Sequence, residues 1–131
     1  LFSHLSASSQ RVLRAAEQEC RNRNQYYIGV EHVMLALLED DDPEIDALLL
    51  ERGARRRDVH RELRELVGHG EERLWEGILI TPRARAAFEV AERAAGGEEV
   101  RPVHLLGAIL DEGGLPSDIV PAAATSSTRP Q

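Results

Sequence analysis

With 131 residues, 42% of them hydrophobic and 30% charged, the chain is long enough to bury one core without disulfides or metal. Its net charge of −7 disfavours nucleic acid and anionic membrane as partners, and its longest apolar runs, such as Val33 to Leu38, are far too short to span a bilayer. The single cysteine, Cys20, precludes an internal disulfide and fits a reducing, cytoplasmic setting; all 16 basic residues are arginine, which removes lysine Schiff-base chemistry and every phosphate loop that needs a lysine.

Two segments read alike. The first is Ser6-Ala7-Ser8-Ser9-Gln10-Arg11-Val12-Leu13-Arg14-Ala15-Ala16-Glu17, and the second is Thr81-Pro82-Arg83-Ala84-Arg85-Ala86-Ala87-Phe88-Glu89-Val90-Ala91-Glu92. Ser6 and Thr81 are N-cap residues, and Pro82 suits a first helical position. Aligned, Val12 pairs with Ala87, Leu13 with Phe88 and Ala16 with Ala91, the spacing of one helix face. Each copy then crosses a polar loop into a short apolar helix that begins with histidine: His32 to Glu39 in the first, His104 to Asp111 in the second. These helices are apolar nearly all round, as buried centre-pieces are. The first copy continues with a helix from Pro43 to Glu51, closed by Gly53, and another from about Arg55 to Val67, with Val59, Leu63, Leu66 and Val67 as its core face.

The pattern predicts an all-α fold: a duplicated helical repeat with pseudo-twofold symmetry. Repeat one covers about 1–67, a polar linker 68–79, and repeat two about 80–120. The second repeat is cut short, with only Leu115 to Val120 as a candidate third helix, and 121–131 reads as a disordered Ala/Ser/Thr/Pro tail. Leu79 and Ile80 are too short to argue a strand.

No catalytic constellation is legible. The chain lacks G-x-x-x-x-G-K-[ST], H-E-x-x-H and G-x-S-x-G, and one cysteine with five unspaced histidines makes no metal site. The expectation is therefore a non-enzyme with no cofactor. His32 and His104, at equivalent helix starts, read as neutral core histidines in preference to a symmetric functional pair. Cys20 reads as a small buried hydrophobe, Arg55-Arg56-Arg57 as a solvated helix face, and the acidic run Glu39 to Glu44 as a turn feeding a helix N-terminus.

The stretch Tyr27-Ile28-Gly29-Val30-Glu31-His32-Val33-Met34-Leu35-Ala36-Leu37-Leu38 resembles the Y-I-G-T-E-H-[IL]-L-L-G-L-L signature of the Clp N-domain, the duplicated repeat that heads the ClpA/ClpC class of unfoldase ATPases. Leu1-Phe2-Ser3-His4-Leu5-Ser6 looks like the M-F-x-x-F-T start of that family, and Ile80-Thr81-Pro82-Arg83-Ala84-Arg85 is similar to its F-T-P-R-A-K second-repeat start. The resemblance covers roughly residues 1–120 in order and spacing.

The resemblance implies an eight-helix pseudo-twofold module that captures substrate and adaptor proteins for a Clp ATPase–protease system, and in some members phosphoarginine. Glu31 carries over as the carboxylate that meets the guanidinium, with Val30 and His32 beside it. Glu31 also has a second reading, as a first-turn carboxylate that complements the helix dipole. Val30 stands where the signature has Thr, and the second repeat has Arg101-Pro102-Val103-His104 where it has G-T-E-H, which puts a second phosphoarginine site in doubt. Phe2, Ile80, Pro82, Arg83 and Arg85 fall on the family's partner surface, also used by cyclic peptide antibiotics; the alternative is that Phe2 and Ile80 staple two helix starts together. A variant reading is a stand-alone protein of this type that competes with, or protects, a Clp ATPase. A reading of another class, a small nucleic-acid regulator, is disfavoured by the acidic charge.

Overall fold

The computed structural model describes residues 4–23, 25, 27–67 and 79–112. Phe2, most of the linker with Trp75, the candidate helix at 115–120 and the tail at 121–131 lie outside them.

The described residues form six helices and one small sheet. Helix α1 spans Ala7–Asn22, strand β1 Tyr27–Ile28, α2 Val30–Glu39, α3 Pro43–Glu51 and α4 Arg56–Val67; then come β2 Leu79–Ile80, α5 Pro82–Ala95 and α6 Pro102–Glu112. The helix starts are written locally. Ser6 Oγ accepts the Ser9 N–H at 3.1 Å, Thr81 Oγ1 accepts the Ala84 N–H at 3.2 Å, and Asp42 Oδ1 accepts the Glu44 N–H at 3.0 Å. Such caps each contribute about 1 kcal/mol. Proline follows the cap in α3 and α5, where its missing N–H costs nothing. Past the end of α5, Gly96 sits at φ +61°, a left-handed turn that glycine adopts without strain.

Helix α2 is the centre. Val30 and every residue from His32 to Leu38 are buried on it, and it contacts α1, α4, α5 and α6. Its mate α6 buries Leu105, Leu106, Ala108, Ile109 and Leu110. The aligned face of the first helices packs here as well: Val12, Ala16 and Cys20 from α1 meet the core, as do Ala84, Ala87, Phe88 and Ala91 from α5. Met34, Leu35 and Leu37 are fully buried, each worth about 1.5 to 3 kcal/mol of transfer free energy. A Leu35→Ala cavity would cost about 2 to 5 kcal/mol.

The duplication shows in the backbone. β1 pairs with β2 in parallel, Ile28 opposite Ile80, and a single parallel bridge joins Leu5 to Val100. The first helices of the two repeats align at an offset of 75 residues (Ser6 with Thr81) and the central helices at 72 (His32 with His104), which maps Leu5 onto Ile80 and Ile28 onto Val100, so the two pairings are one contact repeated by pseudo-twofold symmetry. Leu79 and Ile80, too short to argue a strand from the sequence, thus form one. Two residues carry no readable alternation, and the partner across the pseudo-axis supplies the order. One core assignment also changes: Leu66 is 48% exposed, whereas Val59 and Leu63 are buried on α4.

Arg56 has a role that the solvated-face reading did not foresee. Its guanidinium donates to the carbonyls of Leu38, of Asp40 at 2.6 Å and of Asp42 at 3.3 Å, and it pairs with Asp46 at 2.7 Å. It closes the C-terminus of α2, where unpaired carbonyls favour a cation. Its neighbours Arg55 and Arg57 are exposed, as expected.

Candidate functional site

The N-terminus of α2 starts at Gly29, which has no side chain to cap it. His32, three residues on, performs half of a capping box: its Nδ1 accepts the Gly29 N–H at 3.0 Å. Repeat two does the same, with His104 Nδ1 accepting the Arg101 N–H at 2.9 Å. The paired histidines are helix-start devices in both halves. His32 is the buried one, at 1% exposure, whereas His104 is half-buried.

Because Nδ1 of His32 accepts, its ring proton sits on Nε2, which donates to Gln25 Oε1 at 2.6 Å. Gln25 passes the chain on, donating from Nε2 to the Val67 carbonyl at 3.1 Å, while its own N–H meets the Cys20 carbonyl at 2.9 Å. The edge of Tyr27 stacks on the imidazole, with centroids 5.5 Å apart and planes at 79°. Burial lowers the His32 pKa; Glu31 opposes that shift, Arg23 adds to it and Glu19 opposes it. A neutral His32 fits its hydrogen bonds, since Nδ1 cannot accept when protonated.

Glu31 turns the other way. It is half-buried, and its carboxylate folds back over Gly29 so closely that a Cβ there would collide with Oε1. A side chain at position 29 would thus displace the Glu31 carboxylate from where it lies; the φ of −102° is ordinary. Among the described residues Glu31 has no ion-pair partner. The nearby Arg23 is taken by Glu19 at 2.7 Å. What results is an unpaired carboxylate at a helix N-terminus beside the partly exposed ring of Tyr27. An anion there complements the helix dipole, and together with the aromatic ring it suits a planar cation.

The other predicted residues fall into place unevenly. Val30 is 3% exposed, so its side chain belongs to the core, and both nitrogens of His32 are satisfied internally. Of the three, only Glu31 faces outward. Ile80 is half-buried in β2, while Pro82, Arg83 and Arg85 are exposed at the start of α5. Phe2 lies outside the described residues. The β1–β2 pairing and the bond from the Thr81 N–H to the Ile28 carbonyl at 3.0 Å set the α5 start beside the turn that carries Glu31. The two residue groups, separate in sequence, thus adjoin. In repeat two the position of Glu31 is Val103, half-buried, and Arg101 before it is paired with Glu44 at 2.5 Å.

Sequence reasoning missed Gln25, which carries no motif, and it gave Tyr27 no part in the site beyond the signature. Cys20 is where it was expected: its thiol is buried, donates to the Tyr27 carbonyl at 2.9 Å, and is pushed up to about 12 by burial first and by Glu19, Glu17 and Glu31 after it.

This arrangement coincides with a family match. The model of the Clp repeat (R) N-terminal domain fits residues 4–123. The chain belongs to the Clp repeat N-terminal domain family. It is 32% identical over 105 residues to the ATP-dependent Clp protease ATP-binding subunit ClpC of Staphylococcus epidermidis, covering 79% of this chain and 12% of that protein. The chain thus spans about an eighth of the length of that relative. Its fold is shared with the Hsp104 N-terminal domain of Candida albicans, at a TM-score of 0.70 and 14% identity over 95% of this chain and 91% of that one. It is also similar, at 25% identity and a TM-score of 0.67 over 83% of this chain and 71% of the other, to a solved structure described as a peptide from the EAEC T6SS Sci1 SciI protein.

Proposed function

We propose that this Clp repeat domain is a non-catalytic capture module for substrate or adaptor proteins of a Clp-type unfoldase–protease system, and that its one guanidinium-binding position is Glu31. The observation that carries the reading is the asymmetry of two equivalent helix starts. The first presents a carboxylate with no ion-pair partner among the described residues, and the second presents Val103, close in sequence to an Arg101–Glu44 ion pair. A charge-assisted pair to a guanidinium contributes about 1.5 to 3 kcal/mol, so its loss costs about one to two decades of affinity. Similarity to a structure described by a peptide supports peptides as the ligand class.

Alongside Glu31, the exposed start of α5 with Ile80, Pro82, Arg83 and Arg85, together with Phe2, forms the partner surface in this reading, and a cyclic peptide directed at Clp N-domains is its probe. The reduced second site also favours a variant role: a protein that competes with a Clp ATPase for such ligands, or shields it from them.

The test is an amide NMR titration with free phosphoarginine. Shifts clustered at 28–35 that vanish in Glu31→Ala support the reading. Shifts at 100–106 that survive Glu31→Ala overturn the single-site assignment, and a silent titration removes this ligand altogether.

A further inference from the structure

We propose that Gln25 is the positioning residue of the Glu31 site, acting through the tautomer of His32. The proposal rests on the Glu31 reading above and adds to it the residue that sets the geometry. Gln25 is 8% exposed and uses both ends of its amide. Its oxygen accepts from His32 Nε2 at 2.6 Å, and its nitrogen donates to the Val67 carbonyl at 3.1 Å.

The orientation of that amide follows from its partners. A carbonyl can only accept, so the end of Gln25 facing Val67 must be the NH2. The end facing His32 is then the oxygen, and an oxygen requires Nε2 to carry the proton. A neutral imidazole has one proton, so Nδ1 is left as an acceptor, and the Gly29 N–H takes it at 3.0 Å. The carbonyl of Val67, at the end of α4, thereby favours through Gln25 the same ring state that the Gly29 N–H requires. Glu31 folds over the first turn of α2, with its carboxylate against Gly29. The carboxylate thus lies against the turn that His32 caps, and a binding carboxylate is most effective where its support is rigid.

Two alternatives for the ring would undo this. The other tautomer would set Nδ1–H against the Gly29 N–H, donor against donor. The imidazolium would do the same and add a cation at a helix N-terminus. Among the described residues no group other than Gln25 hydrogen-bonds Nε2 and so selects between the forms from that side. Tyr27 packs against the ring in a T-shaped contact, and the charges of Glu31, Glu19 and Arg23 act on it with mixed sign.

The first test is made on the wild-type chain. Imidazole ¹⁵N spectra at pH 7.5 should show His32 as the Nε2–H tautomer with an unprotonated Nδ1, and the opposite tautomer would overturn the proposal. The second uses Gln25→Met, which keeps the volume and deletes both hydrogen bonds. The variant should fold, lose amide-exchange protection at Gly29, and bind free phosphoarginine about tenfold more weakly with the contact still centred on Glu31. Wild-type protection and affinity in that variant would overturn the assignment. Should methionine prevent folding, Gln25→Asn, too short to reach both partners, should show the same losses in milder form. If the wild-type chain ignores phosphoarginine, the ligand reading falls, and the tautomer and the Gly29 protection still decide the role of Gln25.

Discussion

The backbone N–H of Ser6 donates to the carbonyl of Val100 at 2.9 Å, and its symmetry mate, from Thr81 to Ile28, does so at 3.0 Å. Each repeat therefore hands the approach to its first helix to the other repeat's approach to its central helix. Neither half completes its own backbone pairing. The amides of Ser6 and Thr81 should exchange with deuterium at one common rate set by global unfolding. Hydrogen-exchange mass spectrometry that finds one pair open while the other stays protected would contradict this coupling.

Gly29→Ala should leave the fold intact and displace the Glu31 carboxylate, because the added methyl occupies the space of Oε1, the far end of a flexible side chain. Affinity for a guanidinium ligand should fall, by less than in Glu31→Ala. Calorimetric titration of both variants ranks them, and a reversed order would show that Glu31 acts only on the helix dipole.

Stability should depend on His32 with a defined sign. Burial lowers its folded pKa below the unfolded value of about 6.5, so the unfolded chain takes up protons first on acidification. The contribution is complete above about pH 6.5 and is lost as pH falls through the folded pKa, with a slope of at most about 1.4 kcal/mol per pH unit. The groups facing the ring are Glu31, Arg23 and Glu19. His104 acts in the same direction, its pKa lowered by burial and by Arg101 against Glu44. Urea unfolding between pH 5 and 8 should show this decline in the wild type and a shallower one in His32→Gln.

Arg56→Ala should destabilise the chain by about 2 to 3 kcal/mol, since it strips donors from the carbonyls of Leu38, Asp40 and Asp42 at the end of α2. Arg55→Ala and Arg57→Ala, on the exposed face, should leave the melting temperature nearly unchanged. Three thermal melts decide whether the arginine run acts as a solvated patch or through one residue.

Cys20 should resist iodoacetamide in the folded chain, because its thiol is buried and pushed up to about 12, which leaves almost no thiolate at neutral pH. Labelling should begin only with unfolding in urea. Fast modification of the native chain would refute the packing of α1 against β1.

The sequence by itself determined the helices, their duplication and the family. Caps at Ser6, Asp42 and Thr81, prolines at helix starts, the repeated apolar faces and the twin histidines act within three or four residues of chain, so they are readable in one dimension. It also pointed to Glu31 and to the loss of its counterpart at Val103. Only the tertiary structure decided that Val30 is core, that Leu66 is exposed and that Arg56 closes α2. It alone paired Ile28 with Ile80 and threaded Gln25 between Val67 and His32. The reason is physical. A two-residue strand has too few positions to show a period, and a buried amide or guanidinium finds its partner on another element, so its role is set by packing across the chain.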